Sequence, residues 1–208
     1  MMKNRSFFRK IALVSLAAVM MVSLTSCGGG EKAASGYNVM AVAGYVDGEA
    51  LESFGNQLKQ EIPELAAPEV NASFGAMALG SAEIDPMANM AGMMGFDARV
   101  AAGEVTLAIF DRESAAREAR GEVFRPISEI LTEEDMKKLE GQLIDYETLD
   151  EQGNPDGGRT PAVGVDISGN EALKPVMGEG EKGVFAVAGQ GNEALTRKLI
   201  LHLAGVED

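Results

Sequence analysis

Few residues of this chain could do chemistry. Its 208 residues hold one cysteine, Cys27, and one histidine, His202. Once Cys27 is committed elsewhere, thiol catalysis, disulfide scaffolds and cysteine-based zinc sites are excluded. A Ser-His-Asp triad would have to use His202, and no G-x-S-x-G elbow is present to serve it. His202 stands late in a stripe of Leu195, Leu199 and Leu203, and a histidine at a helix end reads as a surface residue. H-E-x-x-H and the Walker A loop are also absent. The expectation is a protein that is not an enzyme, with no cofactor and no metal.

Cys27 is the residue with a defined chemistry. Lys3, Arg5, Arg9 and Lys10 make a basic start, and Ile11 to Leu24 carries no charge. Leu24-Thr25-Ser26-Cys27 closes the run and Gly28-Gly29-Gly30 follows. A basic segment, an apolar segment and small residues at a cut site are the marks of an export leader. The uncharged run is shorter than the roughly 20 apolar residues a membrane span needs. The stretch resembles the bacterial lipoprotein signal, whose lipobox is an aliphatic residue, two small residues and the cysteine that becomes acylated. The resemblance implies a signal peptide over 1–26, a lipidated flexible tether over 27–36 and membrane lipid as a partner through Cys27. It also implies the extracytoplasmic face of a bacterial cell membrane. One acyl chain holds weakly, at about 0.8 kcal/mol per buried CH₂, so stable anchoring takes a second signal, which a diacylglyceryl group supplies.

Charge narrows the partners further. The chain carries 18 basic and 32 acidic residues, a formal net charge of −14. Four of the bases lie in the leader, so the remainder is more acidic still. Such a surface repels nucleic acid and anionic headgroups, and no nucleic-acid partner is expected.

Past the tether, the chain reads as one α/β domain over 37–208. Tyr37 to Tyr45 is an apolar run suited to a buried strand, and Asp47 can cap the helix that carries Leu51, Phe54 and Leu58. Val70 to Ala78 reads as a second strand. Asp85-Pro86 opens a helix to about Ala102, with Met87, Met90, Met93 and Met94. Thioether is a soft copper ligand, but no cysteine or histidine accompanies it. The apolar residues cover most of the helix circumference, which predicts burial in the core.

Val105 to Phe110 is the clearest strand and ends at Asp111 before a helix to Arg120. Thr132-Glu133-Glu134-Asp135 has the form of a capping box. Leu143–Leu149 and Pro161–Ile167 read as an antiparallel pair joined by a turn at Asn154–Gly158. A calcium loop there fails, with Gln152 at the first ligand position and Val163 at the twelfth. A short helix through Lys174 is stopped by Pro175. Val184–Ala188 and the Leu195 stripe close the chain. Alternating strands and helices argue for a parallel sheet covered by helices, and the late pair makes it mixed: a three-layer mixed-sheet α/β fold.

In such sheets ligands bind beyond the carboxyl ends of strands. The ligand-binding candidates are therefore Tyr45 and Asp47, Ser81 and Asp85, Asp111, and Asp166 with Ser168. Asp47, Asp85 and Asp111 each precede a helix and equally read as caps. Asp166-x-Ser168-x-Asn170 distantly resembles a strand-end magnesium motif, from which its third residue departs.

From the lipobox, the strand–helix alternation, Val105–Asp111 with Phe124–Leu131 after it, and Pro161–Asp166, the chain resembles the extracellular solute-binding proteins of ABC importers. The likeness spans most of 37–205. It implies a periplasmic-binding-protein-like lobe that holds a small solute. Those proteins usually have two lobes, and this chain has length for one. The alternative expectation is an accessory protein-interaction module of a membrane complex.

Overall fold

The computed structural model describes residues 36–150, 152–187 and 192–206. Cys27, the leader over 1–26 and the tether up to residue 35 lie outside them. The unit Ser35–Asp208 is described by itself.

The fold is mixed α/β. In chain order it comprises β1 (Asn38–Ala43), α1 (Gly48–Glu61), β2 (Ser73–Ala78), α2 (Pro86–Ala101), β3 (Leu107–Asp111) and α3 (Arg112–Arg120). There follow α4 (Glu133–Lys138), β4 (Leu143–Ile144), β5 (Glu147–Leu149), β6 (Pro155–Arg159) and β7 (Gly164–Asp166). The chain closes with α5 (Lys174–Met177), β8 (Lys182–Ala186) and α6 (Glu193–Leu203). A six-stranded sheet runs β2-β1-β3-β8-β7-β4, and β5 and β6 form a separate ribbon. β1 is parallel to β2 and β3, while β3–β8, β8–β7 and β7–β4 are antiparallel.

Side-chain alternation along the central strands sorts the core into two layers. Val39, Ala41, Leu107, Ile109 and Val184 face α1, α5 and α6. Met40, Val42, Ala108, Phe110 and Phe185 face α2 and α3. Both faces of these strands are covered, which is why their sequences are continuous apolar runs. Phe110 is the centre of the second layer. It meets Phe96 edge-on at 5.0 Å and Phe185 at 6.1 Å, and Phe124 stacks on Phe185 at 4.5 Å. Each ring buried this way contributes about 1.5–3 kcal/mol. Space around Phe185 is held open by glycine: a Cβ on Gly164 would stand 2.5 Å from its ring, and one on Gly183 2.7 Å.

Several expectations change in the structure. The turn placed at Asn154–Gly158 sits earlier. Asp150 Oδ1 accepts from Gln152 N and Asn154 N, Gly153 takes φ +84°, and Pro155–Arg159 is strand β6. Leu143 pairs antiparallel with Val165 as expected, but the strand expected over Leu143–Leu149 divides: Glu147–Leu149 leaves that sheet and pairs with β6 instead. Pro175 does not stop a helix; it stands in the first turn of α5, where its missing N–H costs nothing.

The largest change concerns α2. It is not core on all sides. Asn89, Met93 and Phe96 are buried, while Met87, Met90 and Met94 are exposed. The buried side packs closely: a Cβ on Gly92 would stand 2.8 Å from Leu79. Arg117 Nη2 of α3 donates to the buried Asn89 Oδ1 at 2.9 Å, which ties the two helices together.

Candidate functional site

The topology gathers one edge of the sheet. β1, β2 and β3 end there at Ala43, Ala78 and Asp111. The antiparallel β8 begins there, with Lys182 paired to Asp111, and β7 ends there at Asp166, paired to Gly183. The candidates Tyr45, Asp47, Ser81, Asp85, Asp111, Asp166 and Ser168 therefore share this edge although they span more than half of the chain.

Each of them also has a local structural partner. Asp47 Oδ1 accepts from Ala50 N at 2.9 Å and caps α1, while the exposed Tyr45 hydroxyl donates to Asp47 Oδ2 at 3.1 Å. Those bonds hold the Asp47 carboxyl below the usual carboxylate range, the Ala50 N–H most of all. Asp85 caps α2 through Ala88 N at 2.9 Å, and Ser81 Oγ accepts from Ile84 N. Asp111 accepts from Ser114 N at 2.7 Å and from Ser114 Oγ at 3.0 Å, capping α3. Asp166 Oδ1 accepts from Ser168 N, and its Oδ2 meets Arg112 Nη1 at 3.2 Å. Ser168 Oγ accepts from Lys182 N at 2.9 Å.

A cleft of about 500 Å³ opens at this edge. Of the predicted residues only Asp111 lines it. Arg112, Glu113, Tyr146, Glu179, Glu181 and Lys182 provide its other polar side chains. Tyr45, Asp47, Ser81, Asp85 and Ser168 are not among its lining residues. Asp166 instead lines a neighbouring cavity of about 280 Å³ with Gln142, Asn170 and His202.

Two features distinguish the cleft chemically. Lys182 is only 3% exposed, with its ammonium donating to Gly180 O at 2.9 Å. A lysine so enclosed is rare because its charge is costly to desolvate. Arg112 Nε and Tyr146 Oη are buried without a well-aligned partner, as is Gln142 Oε1 in the neighbouring cavity, although Arg112 stands close enough to Tyr146 to act on its phenol. A buried polar group left unpaired costs about 1–3 kcal/mol. Burial raises the Tyr146 phenol above its ordinary pKa, and the nearby Arg112 charge opposes that shift. Asp111, Glu113, Glu179 and Glu181 set four carboxyl groups in the same lining as Arg112 and Lys182, and Glu179 also meets Lys174 Nζ at 3.6 Å.

Sequence reasoning missed Lys182, Arg112 and Tyr146. One signal does point to the loop: Gly178-Glu179-Gly180-Glu181-Lys182-Gly183 has the G-x-G-x-x-G spacing. Gly178 and Gly180 have φ of +73° and +114°, which is why glycine stands there. The loop runs from a helix into a strand, however, the reverse of the strand-to-helix context of a dinucleotide site.

Among the described residues, no cluster of three or more His, Cys, Asp or Glu suits a metal ion, and no helix is long and apolar enough to cross a membrane. His202 lies at the surface, 2.9 Å from Glu61 Oε2. Comparison with protein-family models, with curated proteins and with solved structures found no match to the chain.

Proposed function

We propose that this chain is a membrane-anchored extracytoplasmic lipoprotein whose domain is built like one lobe of a solute-binding protein and holds a small polar solute at the strand ends. The strand order β2-β1-β3-β8, with the last strand reversed, supports the single-lobe reading. The observation that carries the binding reading is the cleft where the enclosed Lys182 ammonium and the Arg112–Tyr146 pair meet. A single lobe leaves the solute open to water on one side, so binding is weaker than in a two-lobed clamp. Cys27 supplies the anchor in this reading, and lipid acylation there is part of the proposal.

Two measurements test it. Thermal-shift screening of the full chain against charged small solutes finds a hit, since a solute at about 100 times its Kd adds roughly 2.7 kcal/mol. Lys182→Met abolishes that shift and leaves the fold intact by circular dichroism. A hit that persists undiminished in Lys182→Met places the solute elsewhere. Separately, Cys27→Ala moves the protein out of the membrane fraction or leaves it unprocessed. Unchanged fractionation of that variant defeats the anchor.

The second reading, an accessory interaction module without a small ligand, is favoured by one observation. Every predicted edge residue already has a structural partner, as the capping bonds of Asp47, Asp85 and Asp111 show. A screen without any hit, together with a defined partner recovered by crosslinking in membranes, selects it.

A further inference from the structure

α2 has two apolar sides, and the fold covers one. Asn89, Met93 and Phe96 turn toward the sheet and are buried. On the other side Met87, Met90 and Met94 are 70%, 45% and 65% exposed, and Ile84 just before the helix is 86% exposed. Ala91, Ala98 and Ala101 complete that side and are exposed too. Positions 87, 91, 94, 98 and 101 are spaced alternately by four and three, the spacing of a seam along which one helix packs on another. A helix apolar nearly all round is ordinarily covered nearly all round. Among the described residues nothing covers this side.

We propose that this face is an interface between two copies of the chain, with α2 packed antiparallel on its two-fold mate. Side-chain size selects the mate and the direction. The large residues stand in the first half of the stripe and the small ones mostly in the second. An antiparallel pair sets Met87 opposite Ala98 of the second copy and Met94 opposite its Ala91. A parallel pair would set Met on Met and Ala on Ala, alternating crowding with voids. The helix dipoles oppose favourably in this arrangement.

A lipid surface fits this face less well. Interfacial helices carry Lys and Arg on their polar side and Trp, Phe or Leu on the apolar one. Here the face is Met and Ala, its flanks hold Asp85, Asp97 and Arg99, and the chain as a whole is strongly acidic. α2 has 16 residues, and at 1.5 Å per residue it is about 24 Å long. One such helix pair falls short of the roughly 800 Å² per partner of a standard interface. The association is therefore weak and concentration-dependent.

Disulfide crosslinking of the full chain in membranes of expressing cells tests it. The parent, whose one cysteine is Cys27, sets the background. The double variant Met87→Cys/Ala98→Cys forms a covalent dimer on mild oxidation, and Met87→Cys alone does not rise above the parent. Adding Met94→Glu to the double variant lowers the dimer yield about tenfold; Met94 is exposed, so the fold itself tolerates the change. Crosslinking by Met87→Cys alone means a parallel pair and overturns the arrangement. No crosslinking in the double variant overturns the second copy as occupant. Binding to neutral phosphatidylcholine vesicles that Met94→Glu abolishes would then assign the face to lipid.

Discussion

Asp135→Ala lowers the stability of the domain by about 2–4 kcal/mol at pH 7. Asp135 is 1% exposed and receives four hydrogen bonds. Arg197 of α6 gives two, Nε to Oδ2 and Nη2 to Oδ1, both at 2.7 Å. Thr132 gives its N–H at 2.9 Å and its hydroxyl at 2.7 Å, while Thr132 Oγ1 accepts from Asp135 N to complete the capping box. One carboxylate thus starts α4 and fastens it to the terminal helix. Removing it leaves the Arg197 guanidinium without that partner, and the cap is lost as well. A fully buried pair broken on one side costs about 3–5 kcal/mol. Arg197 keeps some contact with water, its side chain being 27% exposed, so the lower range applies.

The pH dependence of this loss is fixed in sign. The Arg197 bonds hold the Asp135 carboxyl far below the usual carboxylate range, against the opposing effect of burial. A depressed folded pKa means that the stabilisation is present above the unfolded value near 4 and disappears as pH falls below it. The gap between the wild-type protein and Asp135→Ala is therefore full at pH 6–7 and shrinks from about pH 4 downward. Urea denaturation at several pH values measures it, with an unchanged m-value showing that stability alone has moved. A gap below 1 kcal/mol at pH 7, or one that grows in acid, refutes the account.

What could be read from the sequence follows from how each residue's environment is made. The buried strands were legible because Val39–Ala43 and Leu107–Phe110 are short runs apolar on both faces, of strand length and rich in β-branched and aromatic residues. The capping residues were legible because capping is local: Asp47, Asp85, Asp111 and Thr132 each bond a backbone group three residues on. The cleft was not legible, because its parts come together only through sheet order. Arg112 meets Asp166 across 54 positions, and Lys182 is enclosed because β8 lies between β3 and β7. β6 was hidden by composition, since Pro-Asp-Gly-Gly-Arg reads as a turn and its strand is fully exposed. In α2 the amphipathic signal vanished because both sides are apolar, one for the sheet and one left outward. A pattern that predicts complete burial, set on a helix that is half bare among the described residues, is what motivates the two-copy proposal.

Glu118→Gln stabilises the domain in mild alkali and does little in acid. Glu118 lies on α3 and is 5% exposed. Burial is the main cause that pushes its carboxyl up to about 8, and the Asp97 carboxylate of α2 adds to the shift by hydrogen bond and by charge. Arg117 opposes it and loses. At neutral pH the folded chain thus keeps Glu118 protonated, while the unfolded chain ionises it near 4.3. For a raised folded pKa, the stabilisation is complete below the unfolded value and is lost as pH rises through the folded one. Wild-type stability should then fall between about pH 4.5 and 8, at up to roughly 1.4 kcal/mol per pH unit from this group. Glutamine has the same shape, still donates a hydrogen bond to Asp97, and does not titrate. The variant therefore gains about 2–4 kcal/mol over wild type on going from pH 4.5 to 8.5. Titrating groups that do not interact with Glu118 cancel in the difference. Asp97→Asn separates the two causes: if burial dominates, that variant retains most of the wild-type slope, and if Asp97 dominates, the slope collapses. Parallel stability curves for wild type and Glu118→Gln across this range would show that the carboxyl is charged in the fold. The α2–α3 contact would then rest on the Arg117–Asn89 bond and apolar packing without a shared proton.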